Sequence, residues 1–175
     1  MPTYLAFLRA INLGARRKFP KGEIVAAVEG LGWTDVRTHI NTGNVRFDCP
    51  LRSRAKVEAA LEEAFHERAG FEVPTIVLTP AELRAVAEHA ASFDHDGRHY
   101  VSLLKEEPTP ETVRLLEAAS TAEEVVRVGG RGVHLMLGEN YHEARLTNAT
   151  VERHLGVATN RNRTVVDALV AKWCS

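Results

Sequence analysis

The sequence predicts an α+β protein made of two ferredoxin-like (βαββαβ-type) halves packed together. Short apolar runs of strand length alternate with segments whose apolar residues recur at helical spacing. The order strand, helix, strand, strand, helix comes round twice, and short connections place successive elements side by side. The first half is set at residues 1–79 and the second, with a C-terminal helix, at residues 80–175.

Tyr4 to Arg9 is an apolar run closed by an arginine and reads as a buried strand. A basic, Gly-containing loop from Asn12 to Phe19 follows. Pro20 suits the first turn of a helix, and Ile24, Val25, Val28 and Leu31 keep helical spacing until Gly32. Val36–Ile40 and Val45–Phe47 are strands around Asn41-Thr42-Gly43-Asn44, whose residues tolerate the positive φ of a tight hairpin. Val57, Ala60, Leu61, Ala64 and Phe65 form an amphipathic helix ended by Gly70, and Val73–Leu78 is a further strand.

Thr79-Pro80-Ala81-Glu82 is a helix start: a capping hydroxyl, a proline at the first helical position and an acid able to reach back. The polar stretch Ser92–Arg98 connects the halves. The pattern then recurs, with a strand at His99–Lys105, a helix opened by Thr109-Pro110, and strands Glu124–Val128 and Val133–Leu137 around a Gly-rich turn. Asn148 is expected to cap a helix ended by Gly156, and Thr164 a terminal helix standing where the first half has its fourth strand. The halves match in element order and not residue by residue.

Leu8-Arg9-Ala10-Ile11-Asn12-Leu13-Gly14 resembles the Leu-Arg-Gly-Ile-Asn-Val-Gly opening of the bacterial domain-of-unknown-function family 1697. Leu31 to Thr38 with Thr42-Gly43-Asn44-Val45 resembles its second motif, Leu146-Thr147-Asn148 a third, and Arg161-Asn162 falls where the family has Arg-Asn-Trp. The resemblance runs over nearly the whole chain and implies two ferredoxin-like subdomains. It implies no biochemical role. Ala10 and Ala15 stand where the family has glycines, Arg163 where it has Trp, and Ala144-Arg145 replaces Ser-Lys.

The net charge of −1 is unevenly spread. Residues 1–57 hold ten Lys/Arg against four acids, so they carry +6 and the remainder −7. An uneven chain of this kind suits an anionic partner for the first third, or one half docking on the other. With 45% hydrophobic and 26% charged residues the composition is that of a globular protein. No apolar run is long enough to span a bilayer and no signal-peptide pattern opens the chain. Only Cys49 and Cys174 are present, which implies no disulfide framework, leaves no four-cysteine zinc site and fits a cytoplasmic protein.

Candidate ligand-binding residues are Arg9, Asn12, Gly14, Arg16, Arg17, Thr42, Gly43, Asn44, Arg161 and Asn162. The basic loop follows a strand and precedes a helix, where free amides and cations can hold a phosphate; the alternative is a solvated basic turn. The polar hairpin turn is either a binding rim or simply what the turn requires. An arginine closing an apolar strand needs an acid or an anionic ligand. Phosphate-loop and dinucleotide fingerprints are absent. Among eight histidines, His95 and His99 are four apart, but Gly97 lies between them and no complete metal-ligand set is visible. Strand 44–48 carries one aromatic, Phe47, which disfavours an RNA-recognition sheet.

The first functional expectation is a protein binding an anionic small molecule or a nucleic-acid backbone, with no cofactor, no metal and no membrane partner. The alternatives are an enzyme acting on a small phosphorylated or carboxylated substrate, with His39 as base, and a protein-interaction or oligomerisation module. The sequence names no catalytic residue and leaves the oligomeric state open.

Overall fold

The computed structural model describes residues 1–41 and 43–174. The chain divides into two compact units, Met1–Pro80 and the part from Ala81 onward. The first contains β1 (Thr3–Leu8), α1 (Lys21–Glu29), β2 (Thr34–Thr38), β3 (Asn44–Asp48), α2 (Arg54–Ala69) and β4 (Thr75–Leu78). Its sheet is antiparallel in the order β2-β3-β1-β4. Tyr4, Ala6 and Leu8 project from β1 into a core shared with Val28, Leu61 and Phe65, while Leu5 and Phe7 on the opposite face are buried too. Burial on both faces is why this strand reads as an unbroken apolar run.

Ser53 caps α2 by accepting the Lys56 N–H at 3.3 Å, and Gly70 ends it in the left-handed region. One face of α2 has a second job. Glu58 and Glu62, one turn apart, accept the Val77 and Thr75 N–H groups at 2.9 and 3.1 Å. Edge strand β4 would otherwise present those donors unpaired.

The second unit contains α3 (Pro80–Ala91, beginning at the junction), β5 (Arg98–Leu104), α4 (Pro110–Glu117), β6 (Glu124–Gly129) and β7 (Gly132–Leu137). A single 3-10 turn (Tyr141–Glu143), α5 (Asn148–Leu155), β8 (Ala158–Asn162) and α6 (Arg163–Trp173) complete it. Its antiparallel sheet has the order β6-β7-β5-β8, over a core of Leu104, Leu116, Val126, Val133, Leu135 and Val151. The protein is thus α+β, with two four-stranded antiparallel sheets, each packed with helices.

Strand β8 corrects the sequence reading, which gave the second half a helix in its place. Ala-Thr-Asn-Arg-Asn has little strand propensity of its own, and pairing with β5 (Ser102 opposite Asn160, Leu104 opposite Ala158) makes it a strand. Two helix starts also move by one or two residues. Thr147, not Asn148, is the N-cap of α5, and Asn162, not Thr164, caps α6, its Oδ1 accepting the Thr164 N–H at 3.0 Å.

Candidate functional site

The segment joining β1 to α1 is a small built structure. Ala10, Asn12 and Arg17 have φ of 57°, 54° and 53°, and Gly14 has 60°. Asn12 N–H donates to Arg17 O at 2.7 Å and Arg16 N–H to Leu13 O at 3.1 Å, so residues 13–16 form a tight tip. Asn12 holds the base of the loop. Its Oδ1 accepts the Phe19 N–H at 2.8 Å, and its Nδ2 donates to Phe19 O at 3.2 Å and Asn41 O at 2.8 Å. Arg17 lies 4.5 Å over the Phe71 ring and donates to Ala10 O and, at 2.7 Å, to Glu72 O. Phe19 anchors the exit in the core.

The turn between β2 and β3 rests against this loop. Leu8 N–H donates to Gly43 O at 2.9 Å. Gly43 has φ 83°, and a Cβ there would fall 2.7 Å from Leu8 Cβ and 3.0 Å from Ile11 Cδ1. Only glycine suits both the angle and the approach. Asn44 is buried and ties the turn to itself, donating through Nδ2 to His39 O at 3.0 Å. Ile40, a β-branched residue with φ 53°, carries backbone strain into the same turn. Thr42 lies outside the described residues.

The structure therefore brings Asn12, Gly14, Arg16, Arg17, Gly43 and Asn44 into one loop pair, but gives them different work. Asn12, Arg17, Gly43 and Asn44 hold it together. Gly14 and Arg16 are exposed, as is Lys18, and Arg9 is half-buried where β1 ends. Elsewhere in the first third two arginines are matched within the fold: Arg37 pairs with Asp35, and Arg46 with Asp35 and Asp48.

Arg161 and Asn162 belong to the second unit. Arg161 is buried, donates to Thr159 Oγ1 at 2.7 Å and to Asn160 O at 2.8 Å, and burial pulls its pKa down to about 10. Asn162 is occupied as the cap of α6. The histidine pair noted in the sequence is divided in the same way. His95 Nε2 lies 3.1 Å from both Arg98 O and Leu137 O, so it is the protonated nitrogen, and its ring sits 6.4 Å from that of His99.

A partner the sequence did not reveal is His134, whose Nδ1 is 3.0 Å from His99 Nε2. The two are 35 residues apart and meet only through the β5–β7 register, so no local spacing could have announced them. Among the described residues no group of three His, Cys, Asp or Glu is arranged to hold a metal ion. Both cysteines are buried and unpaired, and burial raises both thiol pKa values, which disfavours the nucleophilic thiolate.

A family model described as protein of unknown function (DUF1697) matches residues 1–134. The chain belongs to this family. The DUF1697 match takes in both halves of the loop pair and ends before Arg161. A conserved bacterial protein of Streptococcus pneumoniae, SP0830, has a similar structure: TM-score 0.75, 23% identity, 97% of each chain covered. At that identity the likeness concerns the fold. No curated protein matches the sequence. Among the described residues no helix is long and apolar enough to cross a membrane.

Proposed function

We propose that this DUF1697 protein binds an anionic ligand, a nucleotide-like molecule or a nucleic-acid backbone, on the loop pair of its first unit. The observation that carries the reading is a concentration of left-handed backbone at three non-glycine residues between positions 10 and 17, held by side-chain hydrogen bonds, under an exposed basic tip. Each such residue costs on the order of 1 kcal/mol, and strain of this kind gathers where a chain must present a fixed surface. Arg16 and Lys18 are that surface, with Arg9 at its base. Tip amides and two cations suit phosphate oxygens better than carboxylates, since phosphate offers more acceptors. Two unpaired, buried thiols are in keeping with a reducing cytoplasm as the place of action.

The test uses fluorescence anisotropy with a labelled single-stranded oligonucleotide, and calorimetry with ATP, between 50 and 200 mM salt. Arg16→Ala/Lys18→Ala alters two exposed side chains and should leave the fold intact. Binding should weaken about tenfold, and for the oligonucleotide the logarithmic salt slope should shrink by about 1.4, roughly 0.7 per lost phosphate contact. Equal binding by the variant and the parent protein would dispose of the proposal.

A further inference from the structure

A pocket of about 250 Å³ opens on the second unit's sheet, on the side that carries the core. Tyr100, Leu135 and Asn160 line it from the strands, Tyr141 and Leu146 from the segment leading into α5, and Asn148 from the first turn of α5. None of its lining residues is charged.

One hydrogen-bonded chain sets its chemistry. Ser102, fully buried on β5, has a single hydroxyl proton and donates it to Asn148 Oδ1 at 2.8 Å. Asn148 Nδ2 donates in turn to Ala158 O at 3.0 Å. Ser102 Oγ is then left to accept, and it receives Asn160 Nδ2 at 3.1 Å. Every orientation in the chain follows from the one before it, so both carboxamides are fixed. Asn160 Oδ1 is the end of the chain, an acceptor on the pocket lining that no donor among the described residues serves. Arg98 steadies Tyr141, its guanidinium 4.4 Å from the ring centre and its Nη2 donating to the phenol oxygen at 3.1 Å.

We propose that this pocket binds a neutral, flat heteroaromatic molecule of about ten heavy atoms that carries a ring N–H. The size is matched by scale: an enclosed cavity of about 150 Å³ takes benzene, and this pocket, open to solvent on one side, is larger by two-thirds. Neutrality follows from the lining, which holds no charged side chain, while Arg98 beside it is spent on the ring and hydroxyl of Tyr141. Flat apolar faces suit leucine and tyrosine walls, and the N–H answers Asn160 Oδ1. The site lies in the second unit and does not depend on the anion reading.

Indole and benzofuran are matched probes, equal in size, of which only indole has an N–H. Each is titrated into the labelled full-length protein and followed by NMR. Indole should move the signals of Tyr100, Tyr141 and Leu135 and bind roughly fivefold tighter than benzofuran, the worth of one net hydrogen bond. Asn160→Ala should abolish that preference. Ala144→Trp, which fills the pocket from its own lining, should abolish binding of both, and this holds even where Asn160→Ala fails to fold. No shifts at these residues, equal binding of the two probes by the parent protein, or undiminished binding in Ala144→Trp would each overturn the proposal.

Discussion

Acid should weaken the second unit through His99 and His134. The two rings sit diagonally on β5 and β7, 6% and 0% exposed, and share one hydrogen bond in which one ring donates and the other accepts. Burial is the first cause that pulls His99 down to about 4, aided by Arg163, His95 and His89. Burial likewise leads in lowering His134 to about 3, followed by His99, His89 and Arg163. His89 on α3 meets His134 edge-on at 4.8 Å, and Phe93 packs 5.4 Å from the same ring. No carboxylate is among the causes acting on either ring.

Both rings titrate near 6.5 in the unfolded chain, so near pH 5 unfolding takes up close to two protons. The unfolded state binds more protons there, and stability therefore falls as pH falls, from about 6.5 toward the folded values. At about 1.4 kcal/mol per proton and pH unit, the loss from pH 7 to pH 5 is about 2–4 kcal/mol once relaxation around a charged ring is allowed for. Urea titrations read this best. Trp33 lies in the first unit and Trp173 in the second, so Trp33→Phe leaves a fluorophore that follows the second unit alone. His99→Leu/His134→Leu removes both partners together and should flatten most of the pH dependence, whereas either single substitution breaks the shared hydrogen bond and strands a further nitrogen on the ring that stays, beside the one already without a partner. A stability change of less than about 1 kcal/mol over this range, or a double variant that keeps the parent slope, would refute a titrating role for the pair.

Two further outcomes concern the loop pair. Gly43→Ala places a methyl group 2.7 Å from Leu8 Cβ at φ 83°, and should cost about 2–3 kcal/mol in urea unfolding, read from Trp33 in a Trp173→Phe background. Ala10→Gly should act in the opposite direction, adding up to about 1 kcal/mol, because φ of 57° strains alanine and not glycine. A drop in stability with Ala10→Gly would show that the loop is held by something other than the backbone geometry described.

What the linear chain determined is local. The apolar run of β1, proline at the start of α3 and of α4, Gly70 closing α2 and the Asn/Gly turn before β3 each state a conformation through their own chemistry, and the element order follows from them. The basic loop stood among the candidates for its amides and cations, the hairpin turn for its polar rim, and Arg9 because an arginine closing an apolar strand needs a partner. It could not say which partner. Whether Asn12 serves Phe19 and Asn41, or Arg17 serves Phe71 and Glu72, depends on chain segments that meet only after folding. Strand β8 is the clearest case. Ala158–Asn162 has little propensity to be extended and becomes a strand because β5 offers a free edge beside it. The His99–His134 pair and the relay from Asn160 through Ser102 to Asn148 are made in the same way, by sheet register and by the seating of α5, which bring together residues 35 to 58 positions apart. Local propensity acts over a turn of helix or a hairpin, and a buried polar group is satisfied by whatever tertiary packing sets against it.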